Sequence, residues 1–330
     1  MSAATIDRSS LGCRIGRWLA VASACVAVSS SALPAETVPE PSSIAAPLPQ
    51  IEPIRPIPAP VSSDPARVAL GRSLFDDPRL SHGNDRACSS CHDTATNGAD
   101  GRARDFAPDG QPIRTNTNTV FNAALSFRLD WGGDARTLED QAAGSLQRSD
   151  LMGTTPDEVT RKLQGDAKLS AEFSRAYDRD LNWADLLDAL ATYERTLVTP
   201  DSRFDLWLRG EADAMSFDEL SGYHLFKSAG CASCHQGANV GGNLFEVNGV
   251  FSPLLHSHTF TLRVPSLRNV AVTPPYFHDG SVADLGEAVQ MMARAQLGRR
   301  FTEAETQQIV AFLGTLTGRY EGRLLTKAEP

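Results

Sequence analysis

The stretch Cys88-Ser89-Ser90-Cys91-His92 separates two cysteines by two residues and sets a histidine directly after the second cysteine. The same arrangement returns at Cys231-Ala232-Ser233-Cys234-His235, in the other half of the chain. Attachment of c-type haem requires this pattern, because the two thiols add to the vinyl groups while the adjacent imidazole binds the iron. A pair of redox or zinc half-sites would give no reason for either histidine. The sequence therefore predicts two covalently bound haem c groups, with His92 and His235 as iron ligands.

Length and composition predict two compact domains plus extensions. The chain has 330 residues, and 41% of them are hydrophobic, which is enough for ordinary cores. The net charge is -9 and no long basic run is present, so no nucleic acid partner is expected. A basic or neutral protein partner stays open.

The first residues predict export. Arginines precede an apolar run at 18–28, and small residues follow as far as Ala35, which is the order of a signal peptide at 1–35. The run is too short to predict a spanning helix. A lipoprotein site at Cys25 is the alternative to a soluble periplasmic protein. Two of the six cysteines fall in this signal and the haem motifs use the other four, so no structural disulfide is expected.

Residues 36–65 are predicted to be a stiff linker. Half of the 20 prolines of the chain lie between Pro34 and Pro65. Proline fixes its own backbone angle and favours extended geometry in the residue before it. A docking motif for an aromatic groove is the alternative. The two haem domains are then expected at 66–200 and 201–330, with the boundary near 199–202.

Apolar spacing and capping residues predict helical domains. We expect helices from Pro65 to Pro78, around Leu138, after Thr155, along the stripe from Leu186 to Pro200, after Ser216, and from Thr302 to about Gly318. Asp134 and Thr137 are alternative caps for the helix around Leu138. Residues 93–122 lack periodicity and are expected to form a long loop over the first haem. The predicted fold class is mainly α, with two cytochrome c-like haem domains, long loops and little strand.

Between Leu70 and Thr317 the chain resembles the bacterial di-haem cytochrome c peroxidase family, which includes the MauG-type enzymes that oxidise a protein substrate. The resemblance rests on both haem motifs and on four signature runs, at 70–75, 77–81, 263–269 and 275–280. It implies that the N-terminal haem reacts with hydrogen peroxide. It also implies that the C-terminal haem relays electrons at a higher potential.

The resemblance assigns residues to the second haem and to the space between the haems. Met292 matches the sixth iron ligand opposite His235, where a thioether raises the reduction potential, and Met291 is the alternative. Trp131 matches a tryptophan between the haems, and Arg263 is expected to contact the cofactor. A calcium ion lies between the domains in relatives, and oxygen ligands suit it. The positions that match its ligands are Asn116, Thr273 and Pro275.

The first haem departs from the peroxidase pattern. The position of the distal histidine is Pro108, a MauG-like feature, and no histidine lies between His92 and His224. The first iron is therefore expected to be open, or closed by water. Met152 is an alternative ligand for this iron.

The proton-transfer residues near the first haem are only partly retained. Gln141 matches a glutamine found in both branches of the family, but the acidic residue expected at position 151 is Leu151. That carboxylate would do general acid/base work in cleaving the peroxide bond, which leucine cannot do. The adjacent Asp150 is the candidate replacement.

Three functions are consistent with these residues. In the first, the protein reduces hydrogen peroxide with electrons from a cytochrome c or a cupredoxin. In the second, it is a MauG-like oxidase that modifies a partner protein. In the third, it is a non-catalytic di-haem electron carrier. Met292 favours the first function and Pro108 the second, and a homodimer stays open.

Overall fold

The structure is a computed structural model that describes residues 52–254 and 261–329. The described residues belong to one unit that spans Ile44–Pro330. The predicted signal peptide and lipoprotein site, with most of the predicted linker, lie outside the described residues. Within the part of the chain that is described, no helix has both the length and the hydropathy needed to cross a membrane.

Helices dominate the described residues, as predicted, and the strands are short. The helices are α1 Pro65–Phe75, α2 Leu138–Gln147, α3 Pro156–Gln164, α4 Ala167–Tyr177, α5 Trp183–Glu194, α6 Arg203–Leu208, α7 Phe217–Ser228, α8 Leu285–Leu297 and α9 Glu303–Gly314. The strands are β1 Phe245–Val247, β2 Thr261–Arg263, β3 Arg319–Tyr320 and β4 Arg323–Leu324. Two antiparallel pairs form, β1 with β2 and β3 with β4.

Side-chain caps explain where the helices begin. The Asp64 carboxylate accepts a bond from the amide of Ala66 at 2.9 Å, and Pro65 occupies the first position of α1. The Thr137 hydroxyl accepts a bond from the amide of Asp140 at 3.0 Å, so Thr137 rather than Asp134 caps α2. Capping boxes start α7 and α9, the first of them at the predicted Ser216.

Two predictions about helix extent are wrong, and three helices were not predicted. Helix α5 ends at Glu194, well before Pro200, although Leu197 beyond its end is fully buried. Helix α9 ends at Gly314 rather than near Gly318. Helices α4, α6 and α8 had no predicted counterpart, although α4 has a capping residue, Asp166, whose carboxylate accepts bonds from the amides of Lys168 and Leu169.

A helix precedes each haem motif and crosses the last helix of the same core, with a glycine at the point of contact. A Cβ atom on Gly71 of α1 would lie 2.0 Å from the carbonyl oxygen of Ala189 in α5. A Cβ atom on Gly222 of α7 would lie 1.9 Å from the carbonyl oxygen of Gln308 in α9. Only glycine permits so close a helix crossing, because any side chain would collide with backbone. The two crossings bring the backbones of each helix pair into close contact.

Two large hydrophobic cores lie on either side of the predicted boundary, and a small third cluster joins Leu129, Ala135, Leu138 and Ala191. Residues near both ends of the described chain cross the boundary. The first core runs from Leu70 to Leu197 and also takes Tyr320 and Leu325 from the C-terminal tail. The second core runs from Phe204 to Leu316 and also takes Ile54. The prediction of a linker is therefore corrected for this segment, which has no core of its own but contributes Ile54 to the second core. The assignment of the whole tail to the second domain needs the same correction.

Candidate active site

Both haem motifs have the same local structure. Cys88–Ser90 and Cys231–Ser233 each form one turn of 3₁₀ helix. The amide of His92 donates to the carbonyl of Cys88, and the amide of His235 donates to the carbonyl of Cys231, both at 3.0 Å. This tight turn holds each histidine close to the cysteines that precede it.

The two imidazoles are held in the tautomer that iron binding requires. Nδ1 of His92 donates to the carbonyl of Gly98 at 3.2 Å, and Nδ1 of His235 donates to the carbonyl of Val240 at 3.3 Å. Because Nδ1 carries the proton, Nε2 keeps its lone pair for a metal. Burial lowers the pKa of His92 and lowers that of His235 to about 4, so both rings are neutral at pH 7.

The two motifs open into one cavity of about 420 Å³. All four cysteines of the described residues line it, none of them in a disulfide, and both motif histidines face it. Burial raises the pKa of Cys88 to about 12 and that of Cys231 to about 11, so the thiols stay protonated. Unpaired thiols beside neutral imidazoles in a largely apolar cavity fit two haem c groups, which supply redox-active iron.

Trp131 lies on the cavity wall, at a turn where the chain reverses. The isolated bridge between Leu129 and Ala135 closes this turn. The indole Nε1 donates to the carbonyl of Asn116 at 2.9 Å, and the carbonyl of Trp131 accepts from the amide of Arg263 at 3.0 Å. These bonds hold the indole in place in the cavity that both motifs share.

Arg263 lines the same cavity and is 7% exposed. Its Nε donates to the carbonyl of Asp130 at 2.9 Å. The guanidinium therefore braces the turn that carries Trp131. Its predicted contact with the cofactor stays a prediction.

Gln141 lines the cavity on α2, where its Nε2 donates to the Ser145 hydroxyl at 2.9 Å and to Oδ1 of Asp130 at 3.4 Å. Asp130 also lines the cavity, and its backbone φ is +65°. Aspartate tolerates this left-handed conformation better than most residues do. Burial raises the pKa of Asp130 above its ordinary value, and the bond from Gln141 partly offsets that rise.

Sequence reasoning missed Asp130, because it lies outside the family positions at which an acid was sought. The structure shows a carboxyl group beside the retained glutamine and close enough to His92 to affect its pKa. In the sequence, the position of Asp130 next to Trp131 was the signal that could have identified it.

Glu194 is a second cavity-lining acid that sequence reasoning missed. The side chain is on α5 and is 7% exposed. Burial raises its pKa to about 8, so it holds a proton at neutral pH. The apolar stripe that begins at Leu186 predicted only a packing role for α5.

The acid expected at position 151 is absent, and the apolar side chain of Leu151 occupies this position. Leu151 and Met152 both line the cavity and belong to the first core or pack against it. The Asp150 carboxylate is instead paired with the Arg148 guanidinium, at 2.9 and 2.6 Å, and this pair lowers its pKa. Asp150 does not line the cavity, so the structure does not bring it to the place of the missing acid.

Pro108 is also away from the cavity. It is exposed and belongs to a turn in which the amide of Gly110 donates to the carbonyl of Ala107 at 2.9 Å. The position that matches a distal histidine is therefore on an outer loop of the described structure.

Helix α8 separates the two methionine candidates. Met292 lines the cavity, whereas Met291 packs against the second core. This placement favours Met292 over Met291 as the residue that faces the second motif. Ligation of iron by Met292 stays a prediction.

The three predicted calcium positions also meet at the cavity. They are Asn116, Thr273 and Pro275. Nδ2 of Asn116 donates to the carbonyl of Arg102 at 2.9 Å. Amide and carbonyl oxygens suit calcium, but within the described ranges no cluster of three or more histidine, cysteine or acidic side chains could hold a metal.

Comparison with known proteins agrees with this geometry. The family model for di-haem cytochrome c peroxidase matches residues 65–213, and that for cytochrome c matches residues 220–317. The chain is 38% identical to cytochrome c peroxidase Ccp of Escherichia coli over 82% of its own length and 62% of that protein, so it spans less than two thirds of this relative. It is also 38% identical to cytochrome c551 peroxidase of Nitrosomonas europaea, over 81% of this chain and 84% of that protein.

A solved structure shares the fold. It is that of a MauG-like protein associated with microbial copper homeostasis, which matches with a TM-score of 0.69 and 26% identity over 79% of this chain and 93% of that one. Two haem motifs on one cavity, with a tryptophan on the wall, are thus found in a chain that aligns with these relatives over most of its length. The chain belongs to the di-haem cytochrome c peroxidase and MauG family, a family of c-type haem oxidoreductases.

Proposed function

We propose that the protein is a periplasmic peroxidase that reduces hydrogen peroxide to two molecules of water, with two electrons and two protons. Cys88, Cys91 and His92 would hold the haem at which peroxide would react, and the second motif would hold the haem that would relay the electrons. The observation that carries the proposal is the single cavity that contains both motifs and Trp131. Haem c supplies one-electron redox chemistry and a position at which peroxide binds.

Asp130 does the proton work in this proposal. Its carboxylate accepts a proton from the bound peroxide and returns it to the oxygen that leaves as water. Gln141 holds the carboxylate through its 3.4 Å bond. Asp150 is unsuited to this step, because it lies outside the cavity lining in a bidentate pair with Arg148.

The other residues serve electron transfer and ion binding. Met292 would supply a thioether ligand to the second haem and would raise its potential, which suits the entry of electrons from a cytochrome c or a cupredoxin. Trp131 carries the electrons between the haems. Calcium binds at Asn116 with the carbonyls of Thr273 and Pro275, and metal analysis before and after chelation tests this site. N-terminal sequencing of the mature protein tests export.

A second candidate function is MauG-like oxidation of a partner protein. The observation that favours it is the absence of any histidine between His92 and His224, together with the outward position of Pro108. The likeness to a MauG-like protein of 26% identity supports it as well. In this case the electrons come from a side chain of the partner.

Electron paramagnetic resonance of the oxidised protein, followed by mixing with peroxide, tests the proposal. We expect one high-spin haem and a spectral response to peroxide without prior half-reduction. Turnover with reduced cytochrome c or cupredoxin supports the peroxidase. A response to peroxide with no turnover of either donor favours the MauG-like function. Two low-spin signals and no response to peroxide would leave a di-haem electron carrier.

A further inference from the structure

Residues 52–57 form a strap across the second core. The Glu52 carboxylate pairs with Nζ of Lys227 at 2.9 Å and accepts a bond from the Tyr223 hydroxyl. Ile54 and Ile57 are 0% and 2% exposed. The strap is therefore bound at its start by charge and along its length by apolar side chains.

The strap pairs with the backbone just beyond the second haem motif. Ile54 forms a parallel bridge with Gly237. The amide of Gly237 donates to the carbonyl of Pro53 at 2.9 Å, and the amide of Arg55 donates to the carbonyl of Gly237 at 3.4 Å. The amide and the carbonyl of Gly237, two residues after His235, thus both form hydrogen bonds with the strap.

A fully buried arginine joins the strap to the same turn. The Arg268 guanidinium donates to the carbonyl of Arg55 and to that of Ala238, both at 2.8 Å. It also pairs with the Asp205 carboxylate at 2.9 Å, and both side chains are 0% exposed. Oδ1 of Asp205 accepts from the amide of Ile57 at 3.2 Å, so the pair is anchored to the strap at two points.

The braced turn carries the acceptor of the His235 imidazole. The amide of Val240 donates to the carbonyl of Gly237 at 3.3 Å, and the carbonyl of Val240 accepts from Nδ1 of His235. A bond of this kind sets the orientation and basicity of a metal-binding imidazole. A shift of the Gly237 backbone would therefore move Val240 and, with it, the carbonyl that binds the His235 imidazole.

We propose that the strap is a positioning element for the second haem, which holds the turn after His235 so that the imidazole keeps its bond to the carbonyl of Val240. This inference rests on the proposed relay function of that haem. Loosening the strap weakens the bond and makes the imidazole a poorer donor. A poorer donor stabilises ferric iron less, so the reduction potential of the second haem rises.

The test compares two substitutions at one exposed position of the haem-loaded protein. Arg55→Pro removes the amide that donates to Gly237, and Arg55→Ala removes the side chain but keeps that amide. Pro56 already biases residue 55 toward the extended geometry that proline also adopts. Ile54→Ala loosens the strap by a second route and keeps the backbone donors.

Redox titration followed by absorbance reports each haem separately. We expect Arg55→Pro and Ile54→Ala to change the reduction equilibrium constant of the second haem by about threefold or more, in the direction of a higher potential, where tenfold is about 59 mV for one electron. Arg55→Ala and the first haem should match the parent protein. Circular dichroism should show unchanged helix content.

Three results would overturn the inference: an unchanged second-haem potential in both strap variants, an equal change in Arg55→Ala, or an equal change at both haems. None of these readings depends on peroxide. A protein that never reduces peroxide can therefore still show the expected potential change, and failure of the proposed function is distinguished from failure of this inference.

Discussion

Replacement of Asp130 by asparagine tests which residue handles the proton. The change keeps the size of the side chain and leaves an amide beside Gln141, but it removes the group that can accept and return a proton. Asp130 lines the cavity 3.4 Å from Nε2 of Gln141, whereas position 151 presents leucine. No other cavity-lining carboxylate bonds to this glutamine among the described residues.

The expected effect is large. A positioned general acid or base contributes about 10²- to 10⁴-fold to a rate, which corresponds to about 2.7 to 5.4 kcal/mol of barrier. Asp130→Asn should slow the reaction with peroxide by such a factor. Leu151→Glu in the Asp130→Asn background should restore part of the rate, because it returns a carboxyl group to the cavity.

The pH dependence has a definite sign. Burial raises the pKa of Asp130, and only its ionised form can accept the proton. The rate of the parent protein should therefore fall as the pH falls through this raised pKa. The rate of Asp130→Asn should lack that step.

Stopped-flow mixing with peroxide at several pH values is the assay, with Asp150→Asn as the comparison. Asp150 is bonded to Arg148 outside the cavity lining, so its change should alter the rate less than about twofold, as is usual for a side chain without a role in a step. Retention of the full rate in Asp130→Asn, with loss in Asp150→Asn, would refute the assignment and restore the replacement first expected from the sequence.

Three further outcomes are expected. Met292→Ala should lower the potential of one haem by on the order of 0.1 V in a redox titration, and Met291→Ala should not; the reverse result would exchange their roles. Burial raises the pKa of Glu194 to about 8. The stability that this raised pKa contributes should be fully present below the pKa of Glu194 in the unfolded chain and should be lost as the pH rises through 8. Glu194→Gln should remove this loss, at most about 5 kcal/mol, in denaturant titrations at pH 5 and 9, and an unchanged loss would place its origin elsewhere. Thiol titration of the mature haem-loaded protein, from which the signal peptide has been removed, should find no free cysteine, and two or more would contradict the attachment.

The sequence alone determined the features that depend on local chemistry. The two cysteine-histidine motifs predict haem attachment by themselves, because thioether attachment needs those residues at that spacing. Helix starts at Thr155, Ser216 and Thr302 were also predicted, since a cap acts on amides two or three residues away. The mainly α class followed from the same helical signals.

Tertiary structure decided which neighbouring residue faces the cavity. Asp150 and Leu151 are adjacent in the chain, as are Met291 and Met292, and one of each pair lines the cavity. Which one does so depends on how the local backbone and α8 pack against the rest of the molecule. Asp130 became a candidate only when the fold brought it to Gln141.

Long-range pairing explains the packing of Ile54 that the sequence did not predict. The proline-rich composition before Pro65 predicts an extended backbone, and extended chain without a partner is a linker. The partner is the turn beyond His235, more than 180 residues away along the sequence. Composition cannot show such a pairing, because it depends on the second core, which includes Ile54 and exists only after the chain has folded.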